Sequence, residues 1–446
     1  MKKKYIILSI ITLVLLITFV TSFNYFKTTN TYVENNSNNQ TKITKGISMN
    51  LEQTAGAGDY KQVTQSSWPT EGYKFNAELS RCENGSTLSW DDTKKAVIVS
   101  GNLSDKCYVY FDIYQPTLAE YIKSQYTGTQ GDNALYYHNS TLTNGAGDNS
   151  YRYAGANPNN FVCFGSDTSP CPTDNLYRII GVFGENYHGV TGKQLVKLIK
   201  YDYMTTDELG TDGDYSQTYK EWGMDSTYKG TYGDGERIGV YYWNYKATGS
   251  ATNTWSTSLL NKTNLNTNFI NNIGTTWANK IATVTWKVGG NIFVNIGDVV
   301  PATTYQNEIV NPVTTNTTDN ATTYSAKIGL MYVSDYGFAA SPDAWTLTMS
   351  SYNNTTATNN NWLYMGLFEW TISRTAGDSL GADDVRSAGG LGTLSVSYYR
   401  GVRASFSLES SVSYVSGSGS MSDPVRINWY TKYIKQSSLG LHQEYN

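Results

Sequence analysis

The strongest constraint on this chain sits at its start. Lys2, Lys3 and Lys4 precede a charge-free stretch from Tyr5 to Phe26, with its apolar heart from Ile6 to Phe23. At about 1.5 Å rise per residue, such a run in helical form roughly spans the ~30 Å hydrocarbon core of a bilayer. Backbone in lipid must satisfy its own hydrogen bonds, so a helix is the expected form. Three lysines on the short flank predict that this end stays cytoplasmic and the rest is exported. Residues 1–4 thus read as a cytoplasmic basic end and 5–23 as a transmembrane anchor in the cell membrane. A cleaved secretory signal is the other reading, with Val20-Thr21-Ser22 as its small-residue site. Both readings make the bulk of the chain extracytoplasmic.

A chain of 446 residues is too long for one ordinary domain. Its aromatic content of 14% is enough to build cores and excludes a disordered chain. Charged residues at 16% argue against a long coiled coil. A sequence pI near 5.5 speaks against a nucleic-acid partner, and 3 His against a His-rich metalloenzyme. The 4 cysteines, Cys82, Cys107, Cys163 and Cys171, are even in number. In an exported chain this predicts two local disulfides, Cys82–Cys107 and Cys163–Cys171, each giving roughly 2.5 to 3.5 kcal/mol. Four free thiols is the alternative. No Cys-x-x-Cys or nearby His completes a zinc set, and no cofactor is expected.

Along the chain, residues 24–46 are rich in Asn, Thr and Ser and read as a flexible stalk. Residues 47–114 read as a small all-β, sandwich-like module, with strands at Tyr73–Leu79, Ser86–Trp90, Ala96–Ser100 and Cys107–Asp112. Residues 115–172 read as a connector: a helix over Pro116–Tyr126 capped by Thr117, then a Gly/Asn/Asp-rich loop region. A large domain follows over 173–427. It has strands at Leu176–Phe183, Gln194–Lys200, Ala282–Val288, Ala326–Val333, Trp370–Ser373 and Gly401–Leu408, and a helix over Trp255–Ile273. Residues 301–325 read as an insertion loop and 428–446 as a tail. The expected class is α+β.

The order of motifs in the large domain is distinctive. Leu176-Tyr-Arg-Ile-Ile-Gly is followed by Trp255-Ser-Thr-Ser-Leu-Leu, Ile328-Gly-Leu-Met-Tyr-Val-Ser-Asp-Tyr-Gly, Phe368-Glu-Trp-Thr-Ile-Ser, Gly401-Val-Arg-Ala-Ser-Phe-Ser-Leu and Gly417-Ser-Gly-Ser-Met-Ser-Asp-Pro-Val-Arg-Ile427. This order resembles bacterial surface and secreted proteins with a C-type-lectin-like domain. Formylglycine-generating enzymes and retroelement variable proteins share that broad fold. No Cys follows Cys171, so the cysteine chemistry of those enzymes has no carrier here. Ser341-Pro-Asp343 is the nearest string to a calcium-lectin loop and lacks a partner strand, so no metal site is assigned. The resemblance implies a ligand face around the last strands, with Trp362, Tyr364, Asp384, Arg386, Tyr398, Tyr399 and Arg400 as its candidate residues. Flat rings and arginine forks suit sugars and protein epitopes alike.

Other chemistry is weakly signalled. Asp383-Asp384 with Glu369 would serve a glycoside hydrolase only if two carboxyls lay about 5 to 9.5 Å apart. Asp207, Glu208, Asp212 and Asp214 have a calcium-like spacing without a closing bidentate acid. His138 lacks an acid or nucleophile at a fixed distance. The sequence therefore points to a non-catalytic, membrane-anchored adhesion protein, with carbohydrate or a surface protein as its partner. A structural cell-envelope protein and a surface-polymer hydrolase are the alternatives.

Overall fold

A computed structural model describes residues 46–429 apart from 65–66, 70–71, 103, 185–191, 224, 249–250, 292–295, 313–321 and 354–357, together with residues 35–36 and 40–41. The chain divides after Gln115 into two compact units.

The first unit holds β1 (Ile47–Glu52), β2 (Tyr60–Val63), β3 (Tyr73–Phe75), β4 (Arg81–Cys82), β5 (Thr87–Asp91), β6 (Ala96–Ser100) and β7 (Cys107–Ile113). Its main sheet runs β2-β1-β7-β3, with β4 also on β7, while β5 and β6 pair as a hairpin. The first and last strands, β1 and β7, are parallel neighbours, Ile47 opposite Cys107 and Leu51 opposite Phe111. Met49, Leu51, Trp68, Val97, Val109 and Phe111 form a small core, with Trp90 set edge-on to Phe111 at 5.5 Å. The register places Cys82 directly across from Cys107, and the two are disulfide-bonded. Cys163–Cys171 is the second bond, in the other unit.

The second unit begins with α1 (Leu118–Ser124). Its Thr117 hydroxyl accepts from the Glu120 amide while the Glu120 carboxylate accepts from the Thr117 amide, so two N-terminal donors are satisfied. Then come β8 (Leu135–His138), β9 (Ser150–Tyr153), β10 (Phe161–Cys163), β11 (Leu176–Phe183), β12 (Leu195–Lys200), α2 (Thr206–Leu209), β13 (Tyr215–Thr218), α3 (Tyr219–Trp222) and β14 (Gly239–Tyr242). A π-helical stretch, Leu260–Phe269, leads into α4 (Ile270–Ala278), whose regular geometry breaks at Gly274, φ 76°. The rest comprises β15 (Val284–Lys287), α5 (Pro301–Tyr305), β16 (Thr323–Ala326), β17 (Ile328–Gly329), α6 (Val333–Ala339), β18 (Glu369–Arg374), β19 (Gly381–Val385), β20 (Leu391–Ser395), β21 (Tyr399–Gly401), β22 (Ser405–Ser407), β23 (Val412–Ser416) and β24 (Arg426–Trp429).

Two sheets organise this unit. One runs β8-β9-β11-β12-β22-β17 with β10 also on β11, and the other β13-β14-β21-β18-β19-β20. All eight residues of β11 are buried, as its nearly continuous apolar run requires of a strand covered on both faces. Its one charge, Arg178, is accommodated by Asn160 Oδ1, the Pro158 carbonyl and the ring of Phe161 4.1 Å away. At Gly181 a side chain would strike the Tyr151 carbonyl at 2.1 Å, which explains a glycine beside the bulge there.

The expected fold class is corrected. Sheets dominate, in mixed arrangements that include a half-barrel, so the expected α+β class with a C-type-lectin-like domain does not describe the chain. The physical reason is visible at 135–163: short aromatic runs set among Gly and Asn read as loop, but they pair with one another and with β11 as β8, β9 and β10; the helix expected over 255–273 is itself split into a 3-10 turn, the π stretch and a broken α4. No helix among the described residues is long and apolar enough to cross a membrane. The N-terminal membrane-spanning helix expected over 5–23 lies outside the described residues, as does nearly all of the 24–46 stalk. Residues 116–172 contribute α1 and strands β8, β9 and β10 to the second unit. The 301–325 stretch opens with α5, where Pro301 occupies the first turn.

Candidate functional site

Side-chain alternation along β14 builds a surface of rings. Val240 faces a small cluster with Tyr203, Tyr219, Ile238, Met365 and Leu367. Tyr241 points to the opposite face and donates its hydroxyl proton to the Gly210 carbonyl at 2.8 Å. Tyr242 therefore returns to the Val240 face. The β14–β21 register sets it opposite Tyr399, with ring centroids 5.8 Å apart and edge-on. Tyr245 stacks on Tyr242 at 4.5 Å, and Trp222 from α3 meets the other side of Tyr399 at 5.3 Å. The orientation of α3 is fixed by the Thr218 amide donating to the Glu221 carboxylate at 2.7 Å. Trp222, Tyr399, Tyr242 and Tyr245 thus make one continuous row. Tyr245 at its end is 46% exposed, and Tyr398 beside Tyr399 is 54% exposed.

Arg400 meets this row at Trp222. Its Nε donates to Asp384 Oδ2 at 2.7 Å, and its guanidinium packs over Phe368 at 4.6 Å and Trp222 at 5.4 Å. Burial raises the Asp384 carboxyl, and Arg400 acts against that rise. Arg386 is exposed and adds a weaker favourable charge beside Asp384.

The seven expected ligand residues therefore fall into separate groups. Tyr399, Arg400 and Asp384 are brought together, with Tyr398 and Arg386 exposed nearby in the chain. Trp362 is buried, its indole donating to the Tyr153 carbonyl at 2.8 Å with Arg178 over its face. Tyr364 is buried too, and its hydroxyl donates to the Ser387 carbonyl. Both therefore serve packing. Trp222, Tyr242 and Tyr245 were not singled out from sequence. The aromatic-rich Tyr241-Tyr242-Trp243-Asn244-Tyr245 run is the signal that marks two of them.

The other candidates have structural partners. His138 is buried between Phe338 and Trp345; its Nδ1 accepts from the Ala146 amide at 3.0 Å, and burial holds it well below the usual histidine range. Glu208 caps α2 and pairs with Lys200, Asp207 faces Arg237 at 3.4 Å, and Asp214 accepts from the Leu260 amide at 2.9 Å. Among the described residues, no three His, Cys, Asp or Glu side chains are grouped to hold a metal ion. Glu369 is engaged by Arg403, and Asp383 accepts from Thr393 at 2.9 Å. No family model, curated protein or solved structure matches this chain.

Proposed function

We propose that this protein works by contact, as an extracytoplasmic recognition or adhesion protein that binds a glycan or a surface protein through the ring row of its second unit. The row Trp222, Tyr399, Tyr242 and Tyr245, opening at Tyr245, with exposed Tyr398 next to Tyr399 in the chain, is the observation that carries this reading. Such rings offer flat area that loses little entropy on contact, and an edge that excludes water from sugar C–H faces or an apolar epitope. Arg400, fixed by Asp384, packs against Trp222 at the row's other end. Two disulfides fit an oxidising compartment, and the Lys2–Lys4 flank with its apolar run fits anchoring in the membrane.

Glycan and surface-protein arrays probed with the full chain test the reading. Binding that falls at least tenfold in Tyr245→Ala with Tyr398→Ala, at unchanged thermal stability, supports it. Binding that survives both substitutions refutes this placement of the surface.

A further inference from the structure

The second unit buries a lysine directly against a carboxylate, in surroundings fit for joining them. Lys197 sits mid-strand in β12, and its Nζ touches Asp335 Oδ2 in the first turn of α6, 138 residues along the chain. Both side chains are almost wholly excluded from solvent. The amine lies over the ring of Tyr332 at 4.3 Å and near Trp286 at 5.3 Å. Asp335 Oδ2 also accepts from the Tyr332 amide at 2.9 Å, which fixes the carboxyl group. Asp335 Oδ1 has no hydrogen-bond partner; Arg152 Nη1, likewise unpartnered, faces it 3.8 Å away. A cavity of about 10 Å³ lined by Lys197, Trp286 and Tyr332 adjoins the amine, roughly the room one water molecule needs.

We propose that Lys197 and Asp335 become joined by an intramolecular amide bond, formed once by the folded chain itself with release of one water. Moving one proton within the pair gives a neutral amine and a neutral acid. Nζ then attacks the side-chain carbonyl carbon. The Nζ–Cγ bond forms, charge collects on Oδ1, and Arg152 Nη1 is placed to stabilise it. The Cγ–Oδ2 bond breaks, and Oδ2 leaves as water with the acid proton and one amine proton. The amide keeps the other amine proton, and no oxidant or reductant takes part. Burial favours this route because it lowers the lysine and so makes its neutral form accessible. Glu308 is bound next door by the Ser334 amide at 2.8 Å and by the Ser373 hydroxyl. Burial pushes it up to about 7, which leaves the pocket with a proton donor near neutral pH.

Peptide mapping of the full-length protein decides the matter. After reduction and trypsin digestion, residues 194–200 and 328–374 are expected as one branched species, lighter than their sum by one water. Fragmentation should place the link at Lys197 and Asp335, and Lys197→Met should release the two peptides separately. Wild-type protein yielding cleavage after Lys197 and an unlinked 328–374 peptide overturns the proposal and leaves a plain ion pair. A branched species that persists in Lys197→Met overturns it as well.

Discussion

Arg403 holds Glu369 by two parallel hydrogen bonds, Nε to Oε1 and Nη2 to Oε2, each 2.8 Å long and both buried. A further bond from Nη2 reaches the Leu363 carbonyl at 2.7 Å. The arginine just before β22 is thereby tied to the start of β18. Burial raises the Glu369 carboxyl, and the guanidinium opposes the rise. Removing one partner strands a charge. Arg403→Met is expected to cost about 3–5 kcal/mol in denaturant unfolding. Pairing it with Glu369→Leu should recover much of that loss.

A second expectation concerns pH. Burial pushes both Glu308 and Asp383 up to about 7. Unfolded, such groups titrate near 4, so the folded state binds more protons between about pH 4 and 7. Their contribution to stability is thus fully present below the unfolded values and is lost as pH rises through about 7. Asp383→Asn removes one titrating group and should gain only about 1–2 kcal/mol on wild type at pH 5. At pH 8 it should gain on wild type by on the order of a few kcal/mol. Melting temperatures of the two proteins at both pH values check this, and equal differences at pH 5 and 8 would contradict it.

The Cys82–Cys107 bond closes a loop of 25 residues over a core of few side chains. Cys82→Ser with Cys107→Ser is expected to destabilise the first unit by roughly 2–4 kcal/mol. Limited proteolysis should then cut within residues 46–115 first, while the second unit persists.

Trp362 and Tyr245 should behave in opposite ways. Trp362→Phe leaves the Tyr153 carbonyl without its indole donor, and should cost about 1–3 kcal/mol of stability. Tyr245→Ala should leave the melting temperature nearly unchanged while weakening ligand binding by about 1–2 kcal/mol. Calorimetry and binding measured on the same preparations separate the two roles.

Local signals carried part of this structure. The apolar runs at Leu176–Phe183 and Leu195–Lys200 marked strands, Thr117 marked a helix start, and cysteine spacing marked both disulfides. β8 and β9 were hidden because their short aromatic runs are set among Gly and Asn, and they become strands only through pairing with each other and β11. Lys197 is the one charge inside the otherwise apolar stretch Leu195–Ile199 of β12. It is buried because that strand is covered on both faces. The ring row was illegible for a similar reason: Tyr242 meets Tyr399 only through the β14–β21 register, a contact that no local pattern encodes.

In the first unit, β1 enters and β7 leaves as parallel neighbours joined along Ile47–Leu51 and Cys107–Phe111. Tension between the unit's two ends would therefore run lengthwise along this ladder. The ladder's rungs would share the load and shear together rather than peel apart in turn. Pulling the unit open along this direction would therefore require the β1–β7 backbone bonds to fail as a set, whatever the size of the core behind them.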